Sequence, residues 1–257
     1  MPAPIRAITL DLFDTIVDLH FDRLPAVEIR GRRSPSTLAR QHALLVERGH
    51  ALDLDTFVAA LFDSDRELGE SHLKQGLEIP TLLRFERLAE RLGLADAGLA
   101  DALTRTHMAG IAGVAEAPAH HAAVLGALAS RYRLGLCSNF SHAETALAIL
   151  ERDRLHGHFS AFAISETTRF RKPRREIFDT LLADLGISPE EAVHVGDRLP
   201  DDIDGAAAVG MRSVWLTRRV RDPEKTLQEH PGARPTWIAS DLGELAALLE
   251  RAGSVAP

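Results

Sequence analysis

The pattern of apolar and polar positions divides the chain into two kinds of region. Residues 5–10 form a short, mostly apolar stretch that ends on Asp11, which predicts a buried strand followed by a polar loop. From about residue 20 to residue 107 the patterns are helical, and no good strand candidate is present. This region therefore predicts a helical insertion after the first strand.

Three helices are predicted inside the insertion. One covers residues 37–48 and is closed by Gly49, and a second covers residues 55–68. The third lies between Pro80 and Gly93, because proline is common at the start of a helix and glycine just past its end. Residues 31–37 predict a turn that leads into the first of these helices.

After Pro118 the pattern changes to alternating strands and helices. Strands are predicted at residues 133–137, 161–165, 192–195, 212–216 and 236–239, and helices at residues 120–130, 141–152, 173–185, 202–209 and 242–249. Ser141 with Glu144, and Ser188 with Glu191, are candidate capping boxes. Because alternating strands and helices imply a parallel sheet, we predict an α/β fold, a doubly wound Rossmann-like core with an α-helical insertion.

Composition narrows the class of protein. Hydrophobic residues make up 45% of the 257 residues and charged residues 26%, the balance of an ordinary globular protein. The formal net charge of −7 argues against a nucleic-acid partner, because binding to phosphate backbones needs a basic face. No apolar run approaches the roughly 20 residues of a membrane span, and the first residues lack the pattern of a signal peptide. With Cys137 as the single cysteine, we expect a cytoplasmic protein without an intramolecular disulfide.

Polar residues follow three of the predicted strands. Asp11, Ser138 and Asp197 each stand just past a strand end. In open parallel sheets the ligand lies beyond the carboxyl ends of the strands, so these residues are predicted to converge there. A buried carboxylate such as Asp11 needs a metal or hydrogen-bond donors, although an aspartate at this position also often caps a turn.

Three further features bear on chemistry. Ser138 and Asn139 offer donors to an anion, with a locally bonded turn as the alternative. Lys172 is one of only three lysines and stands among the arginines of residues 169–175, which otherwise read as a solvated basic loop. Asp197 and Asp202 flank a loop that opens a helix and carry the hard oxygen ligands that suit Mg²⁺, although Asp202 also suits an ordinary helix start.

Taken together, these motifs resemble those of the haloacid dehalogenase superfamily of hydrolases. Its four motifs correspond in order to Asp11 with Thr15, to Ser138, to Lys172, and to Gly196-Asp197 with Asp202, across residues 5–216. The helical insertion resembles the cap domain with which family members close the site and select the substrate. The resemblance therefore implies a catalytic core at residues 1–17 and 115–257 and a helical cap at residues 18–114.

The resemblance also implies a role for each matching residue. Asp11 is the expected nucleophile and a metal ligand, and the backbone carbonyl of Phe13 and the side chains of Asp197 and Asp202 complete a Mg²⁺ site. Ser138 and Lys172 are expected to hold the phosphoryl oxygens, with Asn139 beside them in the substrate site. The implied activity is that of a phosphatase whose substrate is a small phosphorylated metabolite and therefore a small anion. The implied oligomeric state is a monomer or a homodimer.

One position departs from the family pattern. Family phosphatases usually carry a second aspartate two residues after the nucleophile, which protonates the leaving group, and Phe13 occupies that position here. Loss of a general acid typically lowers the rate by a factor of about 10²–10⁴. Asp14 is adjacent, but a shift of one residue along an extended chain turns its side chain to the other side, so we interpret it as a turn-stabilising acid.

Phe13 leaves two alternatives open. An aromatic residue here resembles the metal-independent 2-haloacid dehalogenases of the family, since a halide leaves without a proton. The missing acid also fits a catalytically weakened protein that binds phosphate ligands. The Gly196-Asp197 and Asp202 pattern favours the metal-dependent phosphatase, because Asp197 beside Asp11 without a cation would be repulsive.

The insertion contains polar residues that are candidates for contact with the substrate. They are Arg30, Arg32, Arg33, His42, His72, Lys74 and His107. A solvated loop is the simpler interpretation of residues 31–37. Nothing around Lys74 in the sequence favours a catalytic role for it.

Overall fold

The computed structural model describes residues 3–29 and 31–254, so the candidate Arg30 lies outside the described residues. The chain forms two compact units. One contains the residues up to Asp18 and from Ala117 onward, and the other is Leu19–Glu116. These boundaries lie close to the predicted domain boundaries, and the cap role of the second unit stays a prediction.

Strands and helices are numbered in chain order. The strands are β1 (Ala7–Leu10), β2 (Asp18–Leu19), β3 (Ala26–Ile29), β4 (Arg32–Pro35), β5 (Ala115–Glu116), β6 (Arg133–Ser138), β7 (Ala161–Ile164), β8 (Ala192–Gly196), β9 (Arg212–Leu216) and β10 (Trp237–Ala239). The helices are α1 (Leu38–Glu47), α2 (Leu54–Ser71), α3 (Thr81–Leu92), α4 (Leu99–Ala112), α5 (His121–Ala129), α6 (Ala143–Arg152), α7 (Ser165–Thr168), α8 (Arg175–Leu185), α9 (Asp204–Val209), α10 (Pro223–Glu229) and α11 (Leu245–Ser254).

The first unit is built on a six-stranded sheet in the order β10-β9-β8-β1-β6-β7, in which every neighbouring pair is parallel. The central strands β1 and β8 are buried along their whole length, as expected for a sheet covered on both faces. On one face Ile177, Phe178 and Leu181 of α8 join a core with Ala7 and Cys137. The predicted α/β fold with a parallel sheet is therefore confirmed.

The second unit packs α1 to α4 around an apolar core that includes Leu45, Phe57, Phe85, Leu88 and Leu103. Thus the three predicted helices are present, and α4 adds a fourth. No helix in the described parts of the chain combines the length and the apolar character that crossing a membrane requires.

The expectation that the insertion contains no strand was wrong. Strands β3 and β4 form an antiparallel hairpin, and only β4 lies within residues 31–37, which were expected to be a turn. Gly31 has φ of 73°, a left-handed conformation that glycine adopts readily at such a reversal. Because Val27 is the one buried residue of the eight that pair, the hairpin leaves almost no apolar alternation in the sequence.

Two predicted helix starts were also wrong. Helix α6 begins at Ala143, and the side chain of His142, rather than Ser141, accepts the backbone hydrogen bond from Thr145. Helix α8 begins at Arg175 rather than at Pro173, so Lys172 lies in a loop three residues before the helix and not directly at its start. The second capping box, by contrast, is present: Ser188 and Glu191 cap a 3₁₀ turn.

Candidate active site

The predicted site residues lie together at the carboxyl edge of the first unit's sheet. Asp11 follows β1, Ser138 ends β6 and Asp197 follows β8, which are strands with central positions in the sheet. They face a cavity of about 360 Å³. Its lining residues are Asp11, Phe13, Asp14, Ser138, Asn139, Arg171, Lys172, Asp197, Arg198, Asp201 and Asp202. The structure therefore brings all seven predicted site residues to one cavity.

Lys172 is the electrostatic centre of this cavity. Its Nζ donates to Asp11 Oδ1, to Asp202 Oδ1 and to the carbonyl oxygen of Cys137, each at 2.7 Å. The three bonds use all the donors of the ammonium group, and the residue is 4% exposed. Burial acts to lower the pKa of Lys172, but the charges of Asp11 and Asp202 outweigh it and raise this pKa above its ordinary value. Lys172 is therefore a fixed, buried cation.

Asn139 holds the loop that carries Lys172. Its side-chain amide donates to the carbonyl oxygen of Lys172 at 3.0 Å, and its Oδ1 accepts from the backbone N–H of Lys172 at 2.7 Å. The structure thus gives Asn139 a positioning task between the loop after β6 and the loop before α8. Direct contact of Asn139 with substrate stays a prediction.

Three carboxylates meet beside the lysine. Asp11, Asp197 and Asp202 each offer an oxygen within 4.8 Å of the others. The Oδ1 atom of Asp197 is buried and has no hydrogen-bond partner, which is unusual for a carboxylate oxygen. An oxygen in this condition, close to two further carboxylates, fits a hard divalent cation such as Mg²⁺.

Burial and the neighbouring carboxylates also raise the pKa values of Asp197 and Asp11. Burial, reinforced by the charges of Asp11 and Asp202, raises the pKa of Asp197 to about 8. Burial also raises the pKa of Asp11 to about 6, although the cation of Lys172 acts in the opposite direction. A bound cation would reverse these shifts by stabilising the ionised carboxylates.

Asp202 is held by more donors than its neighbours. In addition to Lys172, it accepts from the backbone N–H of Arg198 at 2.8 Å and is bonded to His194 Nε2 at 3.1 Å. Burial opposes ionisation, but Lys172 and His194 lower the pKa of Asp202 below its ordinary value. A Cβ atom on Gly196 would lie 2.2 Å from Asp202 Cγ, so this arrangement requires a glycine before Asp197.

His194 is a residue of the site that the sequence analysis missed. It is fully buried in β8, and its Nδ1 lies 2.8 Å from Thr9 Oγ1 in β1. Burial lowers the pKa of His194, so the neutral ring donates from Nε2 to Asp202 and accepts from the Thr9 hydroxyl at Nδ1. A histidine inside an otherwise apolar, buried strand was the signal in the sequence.

Phe13 and Asp14 differ in their surroundings. The ring of Phe13 packs edge-on against Phe140, with ring centroids 4.8 Å apart. Asp14 has φ of 56°, a left-handed conformation, and its Oδ1 accepts from Arg219 Nε at 3.2 Å. This local distortion allows Asp14 to line the cavity although it is adjacent to Phe13. Arg171 also lines the cavity, where a solvated loop had been expected.

The remaining candidates lie in the second unit, where each bonds a neighbouring residue or is exposed. Lys74 pairs with Glu70, His42 bonds the carbonyl oxygen of Leu52, and His72 bonds Ser71. His107 bonds Thr37, and Arg32 and Arg33 are exposed on β4. In the first unit, burial raises the pKa of the Cys137 thiol to about 12, which agrees with an apolar rather than a reactive role.

Comparison with known proteins places the chain in a family. A HAD-hydrolase-like family model matches residues 169–245. Pyrimidine 5′-nucleotidase YjjG of Escherichia coli (strain K12) is 30% identical over 168 residues, which cover 65% of this chain and 69% of that protein. Glyceraldehyde 3-phosphate phosphatase of Pyrococcus furiosus is 28% identical over 251 residues, 96% of this chain and 94% of that one.

A solved structure agrees with this relationship. The 2-haloacid dehalogenase from Pseudomonas syringae pv. tomato DC3000 superposes with a TM-score of 0.75 at 22% identity, over 96% of this chain and 99% of that one. At this identity the likeness concerns the fold. The chain belongs to the haloacid dehalogenase-like hydrolases, and the predictions of family, fold and hydrolase class are confirmed.

Proposed function

We propose that the protein is a Mg²⁺-dependent phosphatase that hydrolyses the phosphate monoester of a small metabolite, with Asp11 as the nucleophile. The observation that carries this proposal is the cluster in which Lys172 joins Asp11 and Asp202 beside the unsatisfied oxygen of Asp197. Relatives named as phosphatases support it, including a phosphoserine phosphatase of Thermus thermophilus that is 37% identical over 101 residues.

The residues at the cavity suit the metal. Asp11, Asp197 and Asp202 with the backbone carbonyl of Phe13 would hold Mg²⁺, which prefers oxygen ligands and keeps several waters. Bound there, the ion would supply positive charge to the phosphoryl oxygens and relieve the repulsion between the carboxylates. Asp202 would remain fixed by His194 and Arg198 whether or not the ion is present.

The chain's own residues define the first chemical step. A carboxylate oxygen of Asp11 forms a bond to phosphorus while the bond to the leaving oxygen breaks, and an aspartyl phosphate results. Lys172 holds Asp11 Oδ1 and keeps a positive charge at the reacting centre, and Ser138 lines the cavity, where its hydroxyl would donate to a phosphoryl oxygen. Because the side chain of Phe13 has no acidic proton, the leaving oxygen has no proton donor at this position.

The proposal is tested by measuring phosphate release with Mg²⁺ from p-nitrophenyl phosphate and from a panel of alkyl phosphates. We expect turnover with Mg²⁺, faster for the activated ester, because nitrophenolate departs without a proton. Asp11→Asn should abolish it, whereas Asp179→Asn, on the exposed face of α8, should leave it unchanged. Absence of turnover with every ester would refute the proposal.

Phe13 favours a second candidate, a metal-independent 2-haloacid dehalogenase. Its ring and that of Phe140 form an aromatic pair, with Phe13 in the cavity wall where a phosphatase of this family usually has an acid. Halide release from 2-chloropropionate that is unaffected by EDTA would establish this activity. No halide release, together with Mg²⁺-dependent phosphate release, would exclude it.

A prediction about stability follows from the raised pKa of Asp197. Between its ordinary value of 3.8 and about 8, the folded metal-free protein keeps a proton on Asp197 that the unfolded chain releases. This contribution to stability is therefore lost as the pH rises through that range. Without metal, Asp197→Asn should become progressively more stable than wild type from about pH 5 to about pH 8.

Thermal unfolding of both proteins at several pH values measures this difference. The comparison between variants is needed because the lowered pKa values of His121 and His194 give the stability of both proteins the opposite slope at pH values up to about the ordinary histidine pKa of 6.5. Millimolar Mg²⁺ should stabilise wild type at pH 8 and leave Asp197→Asn nearly unchanged. Parallel curves for the two proteins without metal would contradict the proposed ionisation of Asp197.

We also propose the setting in which this activity operates. The net charge of −7 argues against a nucleic-acid partner. Lys172, Arg171 and Arg198 lie among five carboxylates in the cavity lining, so a bound Mg²⁺ would complete the positive charge that a small anionic substrate needs. A cytoplasmic location and a monomeric or homodimeric state complete the proposal, and size-exclusion chromatography with light scattering would determine the oligomeric state.

A further inference from the structure

We propose that His120, His121 and Asp241 form a second metal site in the first unit, which takes a cation of the Zn²⁺ class and is separate from the carboxylate cluster. His121 is the first residue of α5 and His120 precedes it, while Asp241 follows β10. One ligand atom from each of the three side chains lies within 4.8 Å of the other two. Ligand atoms around a tetrahedral Zn²⁺ are about 3.4 Å apart, so small side-chain adjustments would close the site.

The buried ring of His121 gives the strongest indication of a ligand. The residue is fully buried, and its Nδ1 lies 2.7 Å from the backbone carbonyl oxygen of Ile16. Because a carbonyl oxygen only accepts, Nδ1 carries the hydrogen and Nε2 presents a lone pair. This Nε2 is buried and has no hydrogen-bond partner. Metal-binding histidines have this arrangement, with one ring nitrogen donating to a carbonyl and the other bound to the ion.

The two other side chains supply an exposed nitrogen and a negative charge. His120 Nε2 lies 2.7 Å from Asp241 Oδ1, and the rings of His120 and His121 are 4.6 Å apart and nearly perpendicular. The side chain of His120 is 51% exposed, so solvent can supply a fourth ligand. Burial lowers the pKa of His121, which keeps this imidazole neutral and able to bind a metal.

One cation lies near the proposed site. Arg218 Nε is 3.7 Å from Asp241 Oδ2. The same guanidinium pairs through both terminal nitrogens with the carboxylate of Asp18, so its charge is shared with a second acid. Asp241 also accepts from the backbone N–H of Gly243 at 2.8 Å, which fixes the carboxylate beside the two histidines.

The donor types separate this site from the carboxylate cluster. Two imidazole nitrogens with one carboxylate favour Zn²⁺ and its neighbours among the transition metals, whereas an all-oxygen set favours Mg²⁺. The hydrogen bond from His121 to Ile16 would connect the ion to the chain five positions beyond Asp11. A Zn²⁺ ion here would thus tie together three segments of the first unit, and its binding does not depend on the proposed phosphatase activity.

Zn²⁺ binding by the full-length protein tests the site. The background is the double variant Asp11→Asn with Asp197→Asn, which removes two of the three carboxylates of the other cluster. Isothermal titration calorimetry with Zn²⁺ should show one site per chain. In a separate thermal unfolding experiment, saturating Zn²⁺ should raise the melting temperature by about 5 °C. Adding His120→Gln or Asp241→Asn should weaken Zn²⁺ binding by about tenfold or more.

These variants are chosen to preserve the fold. His120 is half-exposed, and asparagine at position 241 can still accept the bond from Gly243. His156→Gln, which changes a histidine that stacks on Phe162, is the matched control and should bind Zn²⁺ like the background protein. Equal Zn²⁺ affinity in the background and in His120→Gln, or no saturable Zn²⁺ binding in the background, would overturn the proposal.

Discussion

Replacement of Lys172 by methionine is expected to lower phosphatase turnover by a factor of about 10²–10³ and the free energy of unfolding by about 3–5 kcal/mol. Methionine has a similar length and no charge, so the change removes the ammonium group while it keeps most of the apolar stem. Both effects arise from one atom, because Nζ donates to Asp11, Asp202 and the carbonyl oxygen of Cys137.

The loss of stability follows from the charges left behind. Without Lys172, Asp11 and Asp202 are two carboxylates, 8% and 0% exposed, with no buried cation between them. Breaking a buried ion pair by removing one partner is strongly destabilising, because the remaining charge stays desolvated. The pKa of Asp11, already raised to about 6, should rise further, and a protonated Asp11 is a poor nucleophile.

Urea unfolding and steady-state kinetics measure the two effects on the same protein samples. The other lysines provide matched controls, since Lys74 and Lys225 are exposed and pair with Glu70 and Glu229 on helix surfaces. Lys74→Met and Lys225→Met should each change stability by less than about 1 kcal/mol and leave turnover unchanged. A Lys172→Met protein as stable and active as these controls would show that the buried cation has neither role.

The site could be located from the sequence because the carboxyl ends of parallel strands lie at the same edge of the sheet. Asp11, Ser138 and Asp197 each follow a short apolar stretch, and parallel pairing through β1, β6 and β8 brings those stretches into register. Lys172 was identified as a lysine among arginines that fits the wider set of motifs, although the helix predicted to begin at Pro173 begins at Arg175. The position of Lys172 beside Asp11 depends on Asn139, whose side chain bonds the backbone of Lys172. These two residues are 33 positions apart, so no local pattern encodes the contact.

Three other features were missed, and the first of them also depends on non-local contacts. His194 reads as a polar interruption of a strand, and its task becomes clear only when Thr9 and Asp202 lie on either side of its ring. The β3–β4 hairpin buries little apolar surface, so it leaves no hydrophobic signature in the sequence. The position of Asp14 in the cavity lining could not be predicted, because it depends on a left-handed backbone conformation that an extended chain does not have.

Phe13→Asp is expected to raise the hydrolysis of alkyl phosphates with Mg²⁺ by a factor of about 10²–10⁴. An aspartic acid at this position would give the leaving oxygen its missing proton and could then activate the water that attacks the aspartyl phosphate. The gain should be much smaller for p-nitrophenyl phosphate, whose leaving group needs no proton. A larger gain for poor leaving groups than for good ones is the kinetic signature of general acid catalysis.

Phe13→Asn is the matched control for this change. Both variants lose the edge-on contact with the ring of Phe140, and both place a polar side chain of similar size in the cavity wall. They differ in the ability to hold and donate a proton, so only Phe13→Asp should gain activity on alkyl esters. Equal activity in the two variants would show that Phe13 does not occupy the proton donor's position. The missing acid would then not be what limits turnover in the wild-type protein.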